Sequence, residues 1–195
     1  MIEKYYNGVI EQVAGGIGNV EHNSILVRYS NDFSIWDLES VNHYKDQSDI
    51  FFTCHEFSYN KIAEAYEPYL GLIRQMFHRY CSGTLEEFME ECDVYKLQRP
   101  VFESYFEKGF CERTEQILID EVEYEQERMR NSIVTMLQKL SEIRPVVIVL
   151  NRFQLASKST MQLSNSLLQV KNKNIGIVLG VNDVQSIPEF AHEEW

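Results

Sequence analysis

Residues 145–163 read Pro145-Val-Val-Ile-Val-Leu150-Asn-Arg-Phe-Gln-Leu155-Ala-Ser-Lys-Ser-Thr160-Met-Gln-Leu163. An apolar run, Val146 to Leu150, follows a proline and stops abruptly at Asn151 and Arg152. A short continuous run rich in β-branched residues, preceded by a long helical pattern, fits a strand buried on both faces of a parallel sheet. In open α/β sheets, binding and chemistry sit just outside the carboxyl ends of the strands. Asn151 and Arg152 occupy that place, so an amide and a cation stand where the chemistry of such a sheet is usually found.

The rest of the chain extends this reading in both directions. Upstream, Thr114 to Ile143 carries Leu118, Val122, Met129, Ile133, Met136, Leu137 and Leu140 at helical spacing. Acids crowd its first half (Glu115, Asp120, Glu121, Glu123, Glu125, Glu127), where the positive end of a helix dipole favours them. Downstream, Thr160 to Val170 predicts a helix, Asn172 to Asn174 a turn, and Ile175 to Val181 another buried strand that stops at Asn182. Near the start, Ser24–Tyr29 and Ile50–Cys54 read as strands, with loop residues 30–34 and a short helix over 35–46 between them. This is a β-α-β unit. The apolar spacing predicts a helix over 61–80, with Pro68 either kinking it or opening a second one. Thr84 and Glu87 have the spacing of a capping box for a helix from Leu85 to about Cys92. Residues 101–110 are ambiguous, and residues 1–23 show only a Gly-rich turn or loop at Ala14–Asn19. The order of elements gives an α/β fold with a parallel sheet of about four strands flanked by helices.

Composition limits what such a fold does. A chain of 195 residues fits one domain over 1–195, and 44% hydrophobic with 25% charged residues is ordinary globular composition. A net charge of −12 opposes general binding to nucleic acid or to an anionic membrane surface. Lys158, Lys171 and Lys173 read as a solvated face. No apolar run approaches the roughly 20 residues of a membrane helix. The N-terminus lacks the apolar segment of a signal peptide. Cys54, Cys81, Cys92 and Cys111 are scattered, which suits free thiols in a reducing, cytoplasmic setting. His78 and Cys81 have helical metal-ligand spacing but lack a second ligand pair. Tyr5, Tyr6, Trp36 and Tyr44 suit either a partner surface or packing.

The 145–163 stretch resembles the Walker B region of the AAA-like P-loop domain in STAND proteins, the signal-transduction ATPases with numerous domains. That pattern is an apolar strand, two acids, then residues like Leu-Gln/His-Trp-Ala-Asp-x-x-Ser/Thr-Leu-x-Leu-Leu. Here Val146–Leu150 is the strand, followed by Phe153-Gln-Leu-Ala156, Ser159-Thr160-Met161 and Leu163. Ala65-Tyr66-Glu67-Pro68-Tyr69 is similar to the family's Tyr-x-Pro-Phe/Tyr helix, and Ile175–Val181 to its fourth strand. Asn182 then falls on the sensor-1 position. Tyr6-Asn7-Gly8 up to Val13 is faintly similar to the Phe-x-Gly-Arg-Glu opening without its Arg-Glu pair.

The departures fall on the chemistry. The family's Mg²⁺-organising Asp lies on Asn151, its neighbouring acid on Arg152, and the Asp of its Trp-Ala-Asp pattern on Ser157. A phosphate loop needs glycines to expose backbone N–H groups, a Lys for the phosphates and a Ser or Thr for Mg²⁺. By order it falls on residues 30–38, where Ser30, Asn31, Asp32, Ser34 and Asp37 stand without Gly or Lys. A second placement, Gly15-Gly-Ile-Gly-Asn-Val20, keeps the glycines but replaces Lys by Asn19 and Thr by Val20. Losing one charge-assisted hydrogen bond of about 1.5–3 kcal/mol weakens binding roughly 10- to 100-fold. Losing the lysine, the hydroxyl and both acids removes hydrolysis.

The resemblance therefore implies a catalytically inactive NTPase-like signalling or scaffold module of a multidomain regulator. It would have no cofactor and would act through a protein or interdomain partner. It also implies a fragment, with a fifth strand, lid and arginine sensor lying beyond Trp195. Two alternatives stand beside it. One is a divergent ATP/Mg²⁺ switch with weak ATPase activity, for which Glu56 is a replacement acid by position. The other is a generic α/β interaction domain.

Overall fold

Tyr6, Val9, Ile10, Val13 and Ala14 recur at helical spacing and form the buried stripe of helix α1 (Ile2–Gly16). The computed structural model of the chain describes residues 2–18, 24–30, 33–45, 49–61, 63–109, 122–170 and 172–182. After α1 come strand β1 (Ser24–Tyr29), a 3-10 turn (Ile35–Asp37), α2 (Glu39–Lys45) and β2 (Phe51–Glu56). Four helices follow: α3 (Tyr69–Tyr80), α4 (Leu85–Glu91), α5 (Arg99–Lys108) and α6 (Val122–Ile143). The described chain closes with β3 (Val146–Asn151), a 3-10 turn (Phe153–Leu155), α7 (Lys158–Gln169) and β4 (Ile175–Asn182).

The four strands make one sheet in the order β1-β4-β3-β2, with every neighbouring pair parallel. β3 and β4 are the inner strands, and all their residues are buried. This is why their sequences are continuously apolar rather than alternating. Val146 lies opposite Phe51 on one side and Ile175 on the other. Successive side chains point to opposite faces, so the apolar residues divide into two cores. Val27, Phe52, Val147, Val149 and Val178 pack with α1 and α2. Val146, Ile148, Leu150, Ile177 and Leu179 pack with α3 to α7.

Several boundaries differ from those read in the sequence. Residues 2–16 are helix despite Gly8, Gly15 and Gly16. Each helical glycine costs about 1 kcal/mol, and two of the three lie in the last turn. Fully burying one large apolar side chain contributes about 1.5–3 kcal/mol, and α1 buries several, so packing decides. The helix expected over 35–46 is broken at Leu38, whose extended backbone separates the 3-10 turn from α2. The helix expected over 61–80 begins only at Tyr69, directly after Pro68, and the Glu67–Pro68 peptide is cis. Residues 101–108 are helical and end at Gly109, held at φ 80°, where a Cβ is strained. The expected pattern over 114–121 lies outside the described residues. The capping box at Thr84 is present in both directions, and its hydrogen bonds hold the Glu87 carboxyl below the usual range.

Three further expectations concern the surface. Lys158 and Lys173 are exposed as expected, while Lys171 lies outside the described residues. Tyr5 and Trp36 are exposed, but Tyr6 is fully buried and Tyr44 stacks on Phe52. Among the described residues no helix is long and apolar enough to cross a membrane.

Candidate functional site

The strand order sets where a crevice forms. The chain leaves β1 over the face covered by α2 and leaves β3 over the opposite face, covered by α7. β4 lies between these two strands. Connections that depart over opposite faces part at the carboxyl ends of such strands, and that is where ligands of open α/β sheets bind. The residues at this place are Tyr29, Asn151 and Asn182, which end β1, β3 and β4, with Ser30 and Arg152 directly after the first two. Glu56 closes β2 beside Asn151, its register partner.

These residues are joined by hydrogen bonds. Asn151, fully buried, accepts from the Tyr29 hydroxyl at 2.8 Å through Oδ1. Its Nδ2 points to Glu56 Oε1 at 3.5 Å. The Arg152 guanidinium stands 3.4 Å from the same carboxylate oxygen. Ser34 donates to Glu56 Oε2 at 3.2 Å, and its Oγ accepts from the Trp36 amide at 3.3 Å. Asn182 donates its backbone N–H to Gln154 Oε1 at 3.2 Å. One negative and one positive charge therefore meet and offset each other at the strand ends. Arg152 has φ 54°, the left-handed region that non-glycine residues rarely occupy. Backbone strain of this kind gathers at functional positions.

Aromatic rings fill the space beside this network. Phe33 packs edge-on against Tyr6 and Tyr29, with centroids 5.2 and 4.9 Å away. The Tyr6 hydroxyl has no hydrogen-bond partner among the described residues, and burial, then Tyr29 and Glu56, push its pKa above the ordinary tyrosine value. A Cβ on Gly180 would overlap that hydroxyl and stand 2.5 Å from Asn151 Oδ1. Glycine is required at 180 because α1 and β3 press their polar groups against the bare backbone.

The first placement of the phosphate loop puts α2 at the position of the helix whose N-terminal amides would hold phosphate. Asn7 of α1 takes that role internally. Its Oδ1 accepts from the Ser40 amide at 3.1 Å and from the Ser40 hydroxyl at 2.5 Å. Asn31 and Asp32 lie outside the described residues, as does the side chain of Asp37; Ser30 is exposed. The second placement fails. Gly15 and Gly16 end a helix instead of following a strand, and Gly18 donates to Lys173 O at 2.9 Å, just before β4 begins. That is the amino end of the sheet, opposite the crevice.

Ser157, which stands for the family's third acid, is the N-cap of α7. Its Oγ accepts from the Thr160 amide at 3.2 Å and donates to Glu64 O at the same distance. Ser157→Ala is expected to cost about 1 kcal/mol of stability. Ser157→Asp keeps the cap but, as an acceptor only, loses the bond to Glu64 O, so it should recover only part of that cost. Urea midpoints of the two variants check this. Thr160 Oγ1 donates to Glu67 O at 2.9 Å, and the Tyr69 hydroxyl meets Ser164 Oγ at 2.6 Å. The Tyr66–Tyr69 segment is thus fastened to α7 by α7's own hydroxyls.

Other candidate chemistry stays apart. Cys54 packs toward α1 and α2, whereas His55 packs edge-on against Phe57 at 4.5 Å, so the two side chains leave β2 over opposite faces. Among the described residues Cys54, Cys81 and Cys92 form no disulfide, and burial pushes Cys92 up to about 12. Cys111 lies outside the described residues. Among the described residues, His78, Cys81 and the acids form no group able to hold a metal.

Sequence reading found Asn151, Arg152, Ser34 and Asn182, and the structure brings them to one end of the sheet. It missed Asn7, Tyr6 and Tyr29, whose partners lie far along the chain. Gly180 carried a signal: a glycine in an otherwise wholly apolar strand marks close approach of another group. No protein-family model matches this chain, and no curated protein and no solved structure matches it significantly.

Proposed function

We propose that this chain is a catalytically inactive NTPase-like module that works through protein or interdomain contacts. The observation that carries this reading is the closed network at the strand ends. Asn151 and Arg152 stand where the resemblance calls for two acids, and both are bound to Glu56 or Tyr29. The strand order supports the scaffold. With β4 between β1 and β3, the ends of β1, β3 and β4 that carry Tyr29, Asn151 and Asn182 lie side by side. Asn7 occupies the Ser40 amide at the start of α2, and Arg152 offsets the charge of Glu56.

One observation favours the divergent ATP switch: Glu56 does place a carboxylate in the crevice, with its side chain 10% exposed. To hold Mg²⁺ it would have to leave Arg152, Asn151 and Ser34. Calorimetric titration of ATP and ADP, each with Mg²⁺, into the full chain separates the two readings. Silence at millimolar nucleotide is the expected result. Saturable, Mg²⁺-dependent heat would overturn the inactive reading and make Glu56 the residue to mutate next.

A further inference from the structure

The outer side of β2 carries a feature remote from the crevice. Among the described residues β2 borders β3 on one side and ends the sheet on the other. The Phe51 amide donates to Pro145 O at 2.7 Å and the Phe57 amide to Asn151 O at 3.1 Å. Odd-numbered residues therefore pair with β3, and the backbone N–H and C=O of Phe52 face away from the sheet. A cleft of about 510 Å³ opens there, between Phe51 and Phe52 on the strand and Arg74, Gln75, His78 and Arg79 on α3.

The cleft is basic in an acidic protein. Among the described residues no carboxylate forms an ion pair with Arg74, His78 or Arg79, although the chain carries a net charge of −12. Two of these side chains are held by their neighbours. Arg74 Nε donates to Phe106 O at 2.8 Å, and the His78 ring packs on Phe77. Groups already held in place lose little freedom on binding. Arg74 and Arg79, five residues apart on α3, project about 140° apart around the helix, and both still reach the wall of the cleft. Side chains on one face of a strand repeat every ~6.7 Å, so an extended peptide lying along β2 turns alternate side chains toward α3.

We propose that this cleft receives an extended acidic segment of a partner protein, which adds to β2 as a further strand and sets alternate carboxylates against Arg74 and Arg79. Open strand edges accept added strands through main-chain hydrogen bonds, and neighbouring side chains choose the sequence. Here the choice is charge. A free edge alone would take any extended peptide, and the arginines restrict it to acidic ones. The proposal stands whether or not the crevice at the carboxyl ends binds nucleotide.

The test uses the full chain and a dye-labelled octapeptide of alternating Glu and Val, followed by fluorescence anisotropy. The same peptide with Gln for Glu is the control. Saturable binding of the acidic peptide alone, weakening with salt, is expected, together with slowed hydrogen exchange at the Phe52 amide. Arg79→Glu, at an exposed position, should weaken binding about tenfold or more, because a charge-assisted hydrogen bond becomes a repulsion. Its circular dichroism should match that of the parent. Absence of binding at millimolar peptide overturns the proposal, as does equal affinity for Arg79→Glu. Displacement of the peptide by inorganic pyrophosphate, without protection of Phe52 in the peptide complex, would make the cleft a small-anion site instead.

Discussion

Gly180→Ala should cost about 3 kcal/mol of stability, at the upper end of what overpacking a filled core does. The added methyl has nowhere to go. It overlaps the Tyr6 hydroxyl and lies 2.5 Å from Asn151 Oδ1, and both side chains are fully buried. β4 is hydrogen-bonded on both sides, so it cannot retreat without breaking the sheet. Urea unfolding at constant slope reads the loss as a lower midpoint. Tyr6→Phe supplies the internal control. That hydroxyl is buried without a partner, so removing it should leave stability equal or raise it. In the double variant, the Tyr6 ring no longer carries the clashing oxygen, and part of the loss should return. Two residues in contact should couple by about 1 kcal/mol or more. Additive losses, or a Gly180→Ala protein as stable as its parent, would show that α1 does not press on β4 as described.

Asn151→Asp restores an acid at the position where the resemblance calls for one, and it should weaken the fold without creating a nucleotide site. Asn151 is fully buried and gives its amide nitrogen to Glu56. The substitution turns that contact into two facing carboxylates that share one arginine. A buried like-charge pair of this kind should cost about 2–4 kcal/mol at neutral pH. The pH dependence follows in sign. Repulsion and burial raise the folded pKa of the new carboxyl above its unfolded value of about 3.9. The folded state then holds the proton longer than the unfolded one. Relative to the parent, the penalty is small in acid and grows as pH rises from the unfolded pKa through the folded one. Urea midpoints of parent and variant across that range check it. An Asn151→Asp protein of parental stability at neutral pH that takes up Mg²⁺ with ATP would overturn the closed network.

The parts of the fold that were legible are those where local pattern and tertiary demand coincide. Val146–Leu150 and Ile175–Val181 are inner strands buried on both faces, and no other element turns such runs into a surface. α1 was hidden because its glycines masked a stripe that tertiary packing uses. The start of α3 moved to Tyr69 because Pro68 disfavours a helical backbone at the residue before it, and the Glu64 and Glu67 carbonyls accept from Ser157 and Thr160 at the start of α7. The site was half legible for a similar reason. Asn151 and Arg152 declare themselves by position after a strand. Tyr29 acts on Asn151 from 122 residues away, and Asn7 on Ser40 from 33. No periodicity or short motif connects such pairs.

Trp36 offers an optical view of this assembly. Its backbone amide is bonded to Ser34, and Ser34 is bonded to Glu56, so the residue's backbone sits two hydrogen bonds from the charges at the strand ends. It is 46% exposed, placed between solvent and protein. The sequence holds only one other tryptophan, Trp195. With that residue replaced by phenylalanine, emission from the chain becomes a single signal from the rim of the crevice. Changes in how the strand ends are tied can then be followed in dilute solution without attaching a dye.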